Sequence, residues 1–184
     1  MAVAQQILAG GGIGVLSFDA IAREMGVSKQ AVLYWFPSKP ALLAELFVGW
    51  VSEEAEVALA ALAPTHSPAE AIAAFVRAVA GFHLAHLDRF RLMYLVPQTL
   101  KTSGDAADRA VLPMIHAATG RLYARLAERL EGHEARQEAM AVHAATLGLV
   151  MMVGLAEGIG DPLKHGAAEL IEALVARLGG QGAP

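Results

Sequence analysis

The sequence predicts an all-α protein, and three of its properties support that prediction. Of its 184 residues, 55% are apolar but only 6% are aromatic, because the apolar excess consists mainly of alanine, leucine and valine. Helix formers therefore greatly outnumber the β-branched and aromatic residues that favour strands. Glycine, proline and capping serine residues divide the chain into about nine helical segments, and no segment has a credible strand pattern.

Serine caps and glycine or proline breaks define four helices in the first third of the chain. The first is expected to end in the Gly10–Gly12 run, because consecutive glycines lose the most backbone freedom when a helix forms. Ser17, Ser28 and Ser38 have the chemistry of N-caps, since a serine oxygen accepts a hydrogen bond from a first-turn N–H group. The predicted helices span residues 2–9, 18–25, 29–35 and 39–62.

Five more helices are predicted beyond Pro64. Ser67 and Glu70 form a capping box around Pro68, which suits the first helical position. The predicted helices span residues 68–87, 89–96, 106–130, 135–157 and 165–178. The breaks that separate them include Pro97, the polar turn 102–105, Gly132 and the pair Asp161-Pro162. We predict a small domain, residues 1–47, and a larger helical bundle, residues 48–184, with the fourth helix bridging both.

Composition and motifs argue against several classes of function. Without cysteine the chain forms no disulfide, thiolate metal site or iron–sulfur cluster, and a reducing cytoplasm is compatible with it. The glycine-rich segment 10–14 lacks the lysine and the strand of a phosphate-binding loop, and no hydrolase or dinucleotide motif is present. His83 and His86 lie three residues apart, but no acidic residue repeats with them in a ligand pattern. We therefore predict no enzyme activity, no metal site and no cofactor.

An uncharged run of 18 residues, 139–156, just reaches the length of a membrane-spanning helix. It contains His143, Thr146 and two glycines, and its commonest residue, alanine, contributes little to insertion. We interpret it as a helix buried in a bundle or dimer core, which predicts a cytoplasmic protein with no membrane partner. A membrane-associated helical protein is the alternative.

The segment 18–36, FDAIAREMGVSKQAVLYWF, has the spacing of a helix-turn-helix. Two short helices that cross steeply need a small residue where they touch and a glycine in the turn, and Ala22 and Gly26 stand at those positions. Apolar residues must fill the space beneath the two helices. The predicted miniature core consists of Phe18, Ile21, Met25, Val27 and Val32.

Helical spacing places a polar face on the second of these helices. With Val32 pointing inward, Gln30 and Tyr34 lie four residues apart on the outer face. Glutamine can pair with adenine through two hydrogen bonds, lysine can reach guanine or a phosphate, and a tyrosine hydroxyl can donate to a phosphate. The helix N-termini at Ser17 and Ser38 also suit phosphates. The predicted DNA-binding residues are Ser17, Ser28, Lys29, Gln30, Leu33, Tyr34 and Lys39.

A purely structural role for this segment is the alternative, because short helices joined by Gly-Val-Ser also occur in proteins that never bind DNA. The charge gives DNA binding little support: the first 50 residues carry three basic and three acidic side chains, and the whole chain has a net charge of −4. One copy would bind DNA weakly, whereas a dimer that presents two such helices engages two half-sites together.

The stretch LSFDAIAREMGVSKQAVLYWFPSKPALLAEL resembles the DNA-binding domain of the tetracycline-repressor (TetR/AcrR) family of bacterial regulators over about the first 47 residues. The matching positions are Ser17, Ile21-Ala22, Gly26-Val27-Ser28, Tyr34, Phe36-Pro37-Ser38-Lys39 and Leu42-Leu43. The resemblance implies an all-α homodimer that reads a palindromic operator, with a divergent C-terminal domain that binds a small effector and dimerises through its last two long helices. Two features depart from the family pattern: the first helix has no basic segment before it, and Leu33 stands where tyrosine is frequent.

Aromatic, methionine and histidine side chains on the later helices are expected to converge. A cavity lined by such residues suits a mostly apolar effector, and the alternative is that the same side chains fill the core. The predicted effector-binding residues are Phe82, His86, Phe90, Met93, Tyr94, His116, Tyr123, His143, Leu147 and Met151.

The uncharged run 139–156 also has the pattern of a dimer interface, because small residues alternate with larger ones along one of its faces. Two copies can pack about a two-fold axis together with helix 165–178, as an isologous four-helix interface. The predicted interface residues are Ala141, Ala145, Gly148, Met152 and Leu155.

Together these observations predict a dimeric, ligand-responsive transcriptional regulator, with repression favoured over activation. Its predicted partners are double-stranded operator DNA, a small-molecule effector and a second copy of the chain. A helical small-molecule carrier, in which the N-terminal unit is merely structural, is the alternative function.

Overall fold

The computed structural model describes residues 1–95, 106–160 and 165–180, and every regular element within these ranges is helical. The all-α prediction is thereby confirmed. The helices are α1 (Ala2–Val15), α2 (Phe18–Met25), α3 (Lys29–Trp35), α4 (Lys39–Leu62), α5 (Pro68–Leu84), α6 (Leu87–Phe90) with a following π-helical turn (Arg91–Leu95), α7 (Ala106–Leu130), α8 (Ala135–Ile159) and α9 (Ala167–Gly179). The breaks predicted at Pro97, at 102–105 and at Asp161-Pro162 lie outside the described residues.

Three serines start helices as predicted. The hydroxyl oxygens of Ser17, Ser28 and Ser38 accept hydrogen bonds from backbone N–H groups three residues further on, at 3.1, 3.2 and 3.2 Å. Each bond satisfies one of the N–H groups that the first turn of a helix leaves without a helical partner. The starts of α2, α3 and α4 are therefore determined locally.

The first helix is longer than predicted. It continues through Gly10 and Gly11 to Val15, with one non-helical residue inside it, Gly12 (φ 68°, ψ −170°). The end predicted at Ala9 was therefore too early, whereas the break predicted within the Gly10–Gly12 run is present at Gly12. A single glycine weakens a helix by about 1 kcal/mol without forbidding it. The interruption falls at the residue with a positive φ, which glycine adopts without steric strain.

Two compact units make up the fold, and the first contains the short N-terminal helices. It comprises Met1–Ser52 and the described residues of His86–His116. In this unit α1 packs on α2 and on α6, and α2 packs on α3. Its core includes Leu8, Leu16, Ile21, Ala22, Val32, Leu42, Leu46, Trp50, Phe90 and Met93.

Gly26 makes the turn between α2 and α3. Its backbone is left-handed (φ 67°, ψ 28°), and the N–H group of Val27 donates to the carbonyl of Ala22 at 3.0 Å. This is the hydrogen bond with which a glycine-terminated helix closes its last turn. The helix-turn-helix predicted from the spacing is present.

The small core under this turn differs in part from the prediction. Ile21, Ala22 and Val32 are buried as expected. Met25 and Val27 were also assigned to this core, and that assignment was wrong, since they are 54% and 42% exposed. Both flank the turning residue Gly26, and within the described part of the chain their side chains stay open to solvent.

The second unit is built around α5. It comprises Glu53–Ala85 and the described residues of Ala117–Pro184. α5 packs against both α8 and α9, and a bidentate ion pair from Arg77 to Glu172 joins α5 to α9. Ser67 accepts a hydrogen bond from the Glu70 N–H group at 3.3 Å, while the Glu70 carboxylate accepts one from His66 N–H, one residue before the cap.

The division between the two compact units falls inside α4, between Ser52 and Glu53. The first part of this helix therefore belongs to one unit and its last part to the other, as expected of a bridging helix. The predicted domain boundary at residue 47 was drawn from the sequence motif and not from compactness, and it stays a prediction.

Among the described residues, α8 is long and apolar enough to cross a membrane, and 39% of its most apolar 18-residue window is buried. α5 and the segment Leu87–Tyr94 meet the same criterion only when combined across a bend of 98°. The core helix of a soluble protein has these properties too.

We expect Gly26→Ala to destabilise the protein by about 1–2 kcal/mol, because a β-carbon is strained at a φ of 67°. Gly81→Ala is the matched control: Gly81 lies in α5, is exposed, and has no atom within 4 Å of the added methyl group. That change should stabilise by up to about 1 kcal/mol. Urea unfolding of both variants measures the difference, and equal effects would contradict the role given to Gly26.

Candidate functional site

The outer face of α3 is open to solvent. Lys29, Gln30 and Tyr34 are exposed, and Tyr34 is 81% exposed. Leu33, which was expected on the same face, is half-buried, and Val32 on the opposite side is buried. The Ser28 cap fixes the start of α3, so the exposed polar side chains lie on a short helix with a defined first turn.

An ion pair between α2 and α3 occupies one of the predicted DNA-binding residues. The ammonium of Lys29 lies 2.8 Å from Oδ2 of Asp19, and both side chains are about half exposed. A solvent-exposed pair of this kind contributes at most about 1 kcal/mol to stability. Its main effect is to hold the Lys29 ammonium beside Asp19, the second residue of α2.

An open cleft of about 360 Å³ brings three of the predicted residues together, Ser17, Lys29 and Lys39. The cleft lies where α2, α3 and α4 begin, and its other lining residues are Gly14, Leu16, Phe18, Asp19 and Leu42. The Ser17 oxygen already accepts a hydrogen bond from Ala20 N–H, which leaves the hydroxyl hydrogen available to donate. The ammonium groups of Lys29 and Lys39 outnumber the Asp19 carboxylate in this lining, and together with the positive ends of the helices they favour an anion.

Trp35 is an exposed residue on the same helix that the sequence did not mark as functional. It is 75% exposed, and its ring meets that of Tyr34 edge to face, with centroids 5.4 Å apart. The sequence offers one indication that Trp35 is exposed: it is the last residue of the short helix α3 and directly follows Tyr34.

The ten predicted effector-binding residues are divided between the two units. The first unit holds His86, Phe90, Met93, Tyr94 and His116, and the second holds Phe82, Tyr123, His143, Leu147 and Met151. Phe90 and Tyr94 pack with ring centroids 5.2 Å apart, and the Tyr123 hydroxyl forms a hydrogen bond with Nδ1 of His143. His86, His116 and Met151 are exposed.

A buried polar cluster in the second unit was not anticipated. Oε1 of Glu54 lies 2.7 Å from Nε2 of His143, and Oε2 lies 3.3 Å from Nε2 of His83. On the other side of the His143 ring, the Tyr123 hydroxyl lies 2.9 Å from Nδ1. The four side chains come from α4, α5, α7 and α8, so the cluster joins all four helices within this unit.

The carboxylate of this cluster is held in its charged form. Burial raises the pKa of Glu54, but hydrogen bonds from His143 and His83 outweigh burial and lower that pKa to about 2. Burial, reinforced by the negative charge of Glu54, raises the pKa of Tyr123. At neutral pH Glu54 is therefore ionised and Tyr123 is a phenol.

Side chains that could hold a metal ion do not converge in groups of three anywhere in the described part of the chain. His83 and His86, considered together in the sequence, lie in different surroundings: His83 is fully buried next to Glu54, whereas His86 is exposed.

The residues predicted for a dimer interface lie on an open side of α8. Met152 and Leu155 are each 59% exposed, Ala141 is exposed, and Ala145 and Gly148 are half-buried. Further exposed apolar side chains on this helix are Met140, Met151 and Ile159. None of the residues of α9, which packs on α5, is buried.

We expect acid to remove the stabilisation that ionised Glu54 provides. Because the pKa is lowered from 4.5 to about 2, this stabilisation is complete above pH 4.5 and is lost as the pH falls towards 2. Glu54→Gln cannot titrate, so the free energies of unfolding of wild type and variant should converge by about 3 kcal/mol over this interval.

Glu56→Gln is the control for that measurement, since Glu56 lies two residues away but is 63% exposed and pairs with Arg121 at the surface. Its curve should stay parallel to that of the wild type. If the Glu54→Gln curve is also parallel, the carboxylate is not held in the charged form as described.

Comparisons with known proteins agree with this geometry. Residues 1–46 match the family model of bacterial regulatory proteins of the tetR family. A search of the curated proteins gave no match. The helix-turn-helix and its exposed α3 face lie inside the matched segment.

Solved structures resemble the chain over nearly its whole length. A protein of unknown function from Rhodococcus sp. RHA1 is 22% identical, with a TM-score of 0.76 over 97% of this chain and 90% of that one. A transcriptional regulator of the TetR/AcrR family from Thermobifida fusca YX-ER1 is 23% identical, with a TM-score of 0.66 over 100% and 96%.

The TetR family transcriptional regulator PfmR from Thermus thermophilus is 18% identical, with a TM-score of 0.61 over 99% of this chain and 97% of that one. At these identities the likeness establishes the fold. The family match covers residues 1–46, the segment that contains the helix-turn-helix, and the likeness over the rest of the chain is one of fold.

Proposed function

We propose that the protein is a ligand-responsive repressor that binds palindromic operator DNA as a homodimer. The observation that carries the proposal is the outer face of α3, where Lys29, Gln30 and Tyr34 are exposed on a helix fixed by a serine cap and a glycine turn. The tetR family match over residues 1–46 supports the same conclusion. In this proposal residues 1–47 bind DNA, and residues 48–184 bind the effector and the second protomer.

The proposed contacts follow from the chemistry and position of each side chain. Gln30 pairs with an adenine edge in the major groove, and Tyr34 donates to a phosphate. For Lys29 we favour a phosphate over guanine, because Asp19 holds its ammonium beside Lys39 in the cleft at the helix starts. The half-buried Leu33 makes an apolar contact with the DNA. The hydroxyl groups of Ser17 and Ser28 donate hydrogen bonds to it.

The proposed dimer is supported by the open face of α8. A stripe of exposed methionine, leucine and isoleucine side chains is unusual on a monomeric protein, and a second copy of the same helix would cover it. Alanine and glycine in the stripe let two helices approach closely, and the exposed positions of α9 include further alanines. A dimer also compensates for the balanced charge of the first 50 residues, because two half-sites are bound at once.

The proposed effector is a mostly apolar small molecule, held by residues from the predicted set of aromatic, methionine and histidine side chains. Its binding shifts α4, and with it the spacing of the two α3 helices in the dimer. An effector can release DNA in this way only if it binds the two spacings with different affinity. The proposal requires neither a catalytic step nor a membrane, and it places the protein in the cytoplasm.

DNA binding is tested with duplexes that tile the regions flanking the gene, in gel shifts with the dimer. One tile should shift selectively, and its affinity should fall steeply as salt increases. Absence of any selective shift would refute the regulator proposal and favour the small-molecule carrier.

On the selected duplex, Gln30→Ala should weaken binding by about 1–3 kcal/mol and relax specificity at one base pair. Gln137→Ala, an exposed glutamine on α8, is the matched control and should bind like the wild type. A Gln30→Ala variant that loses affinity equally for all sequences would place Gln30 on the backbone of the DNA instead.

The dimer is tested by light scattering coupled to gel filtration. Placing charge in the stripe, as in Met152→Glu with Leu155→Glu, should convert dimers to monomers, because carboxylates would face each other across the interface. Met114→Glu is the control, since Met114 is 49% exposed on α7. Dimers that survive the paired substitution would require a different interface.

A further inference from the structure

The indole ring of Trp35 lies open to solvent at the end of α3. The sequence contains two tryptophans, and their surroundings differ: Trp50 in α4 is 4% exposed, whereas Trp35 is 75% exposed. Its neighbour Tyr34 is 81% exposed. Tryptophan and tyrosine are among the residues that contribute most when a surface binds another molecule. Two of them side by side in the open indicate that a partner covers this end of α3.

The two rings support each other. Their centroids lie 5.4 Å apart and their planes meet at 89°, the edge-to-face arrangement that aromatic pairs favour. This contact restricts the side-chain torsions of the indole before a partner arrives. Less conformational freedom is then lost on binding, which strengthens the complex.

Helical spacing places Trp35 on one flank of the exposed face of α3. Successive residues are about 100° apart, so Gln30 and Tyr34 lie within about 40° of each other and define the middle of that face. Trp35 lies about 120° from this middle in one direction, and Lys29 lies about 120° from it in the other. The indole and the ammonium are therefore on opposite flanks of the helix.

In the proposed DNA complex each flank faces one wall of the major groove. The groove is about 12 Å wide and admits one α-helix, so a helix that points Gln30 at base edges has a strand on each side. On one flank, Lys29 and the cleft that it shares with Lys39 offer positive charge to phosphates. On the other flank, α3 offers the apolar ring of Trp35.

The methyl group of thymine is the apolar partner that the major groove provides for such a ring. The other distinguishing groups on the base edges there are hydrogen-bond donors and acceptors, and covering them with an indole face would remove water without replacing its hydrogen bonds. The C5 edge of a pyrimidine, which carries the methyl group in thymine, lies towards its own strand. A side chain on the flank of the helix can therefore reach it.

We propose that Trp35 packs against a thymine methyl group in each half-site, and that it thereby selects an A·T pair with thymine on the strand beside this flank. The contact rests on the proposed function, because it names part of the DNA that the same helix reads. Trp35 is then a specificity-determining residue that forms no hydrogen bond with a base.

The test replaces the thymines of the selected duplex one at a time with deoxyuridine, which pairs in the same way but lacks the methyl group. For the wild type, one position in each half-site should weaken binding by about four-fold, the factor expected for one buried methyl group. Trp35→Ala should bind the thymine duplex at least about ten-fold more weakly than the wild type. The same variant should show no further loss on the uracil duplex, because the methyl group has already lost its partner.

Two variants serve as controls. Trp35→Phe keeps an aromatic ring and should still distinguish thymine from uracil. Met114→Ala shortens another exposed apolar side chain, on α7, and should change neither the affinity nor the uracil penalty. Thermal melting without DNA checks that each variant is folded, as expected for changes at exposed positions.

Quenching of tryptophan fluorescence by acrylamide measures burial of the ring directly. Trp50 is buried, so the emission that acrylamide reaches comes mainly from Trp35. The selected duplex should protect the wild type from quenching, because the ring then packs against DNA. It should have little effect on Trp35→Phe, which retains only the buried tryptophan.

Three results would overturn the thymine contact: a uracil penalty that persists in Trp35→Ala, a Trp35→Ala variant with wild-type affinity, or no penalty at any thymine. In each case the wild type still binds the duplex, and the proposed function stands. A wild type that binds no duplex selectively would refute the proposed function and, with it, the role of Trp35.

Discussion

The direction of α3 is set at Gly26. The left-handed backbone of this glycine ends α2, and α3 begins three residues later, at Lys29. The bond from Val27 N–H to the Ala22 carbonyl closes this turn and leaves Val32 facing the buried side. Once Val32 is inside, helical spacing leaves Gln30 and Tyr34 outside. A polar, exposed α3 is thus the consequence of one backbone conformation and one buried valine.

Local signals predicted the elements well, because each is a property of neighbouring residues. The three serine caps and the glycine turn depend on atoms within five residues, and all were found where the sequence placed them. The wrong predictions concern how far α1 continues and which side chains are covered by other helices. Gly10 and Gly11 stayed helical because a glycine weakens a helix without forbidding it, and Met25 and Val27 are exposed beside the turn at Gly26.

The buried cluster of Glu54, His83, Tyr123 and His143 is a site that the sequence predicts only in part. Glu54 follows the buried register of Val51, Ala55 and Ala58, so periodicity alone could have marked it as a buried carboxylate. Its partners could not be found in this way, since His83 and His143 stand 29 and 89 residues further along the chain. Pairing across four helices is a property of the packed fold.

The Asp19–Lys29 ion pair described above has a consequence for how the protein responds to ionic strength. Binding of a free lysine to a phosphate expels condensed cations from the duplex, and each such lysine adds about 0.9 to the slope of log affinity against log salt. Lys29 already carries an anionic partner, which a phosphate must displace or approach. In the proposed complex Asp19 is then left near the nucleic acid and retains a cation of its own. Lys29 therefore contributes less to the measured slope than the value of about 0.9 expected of a free lysine.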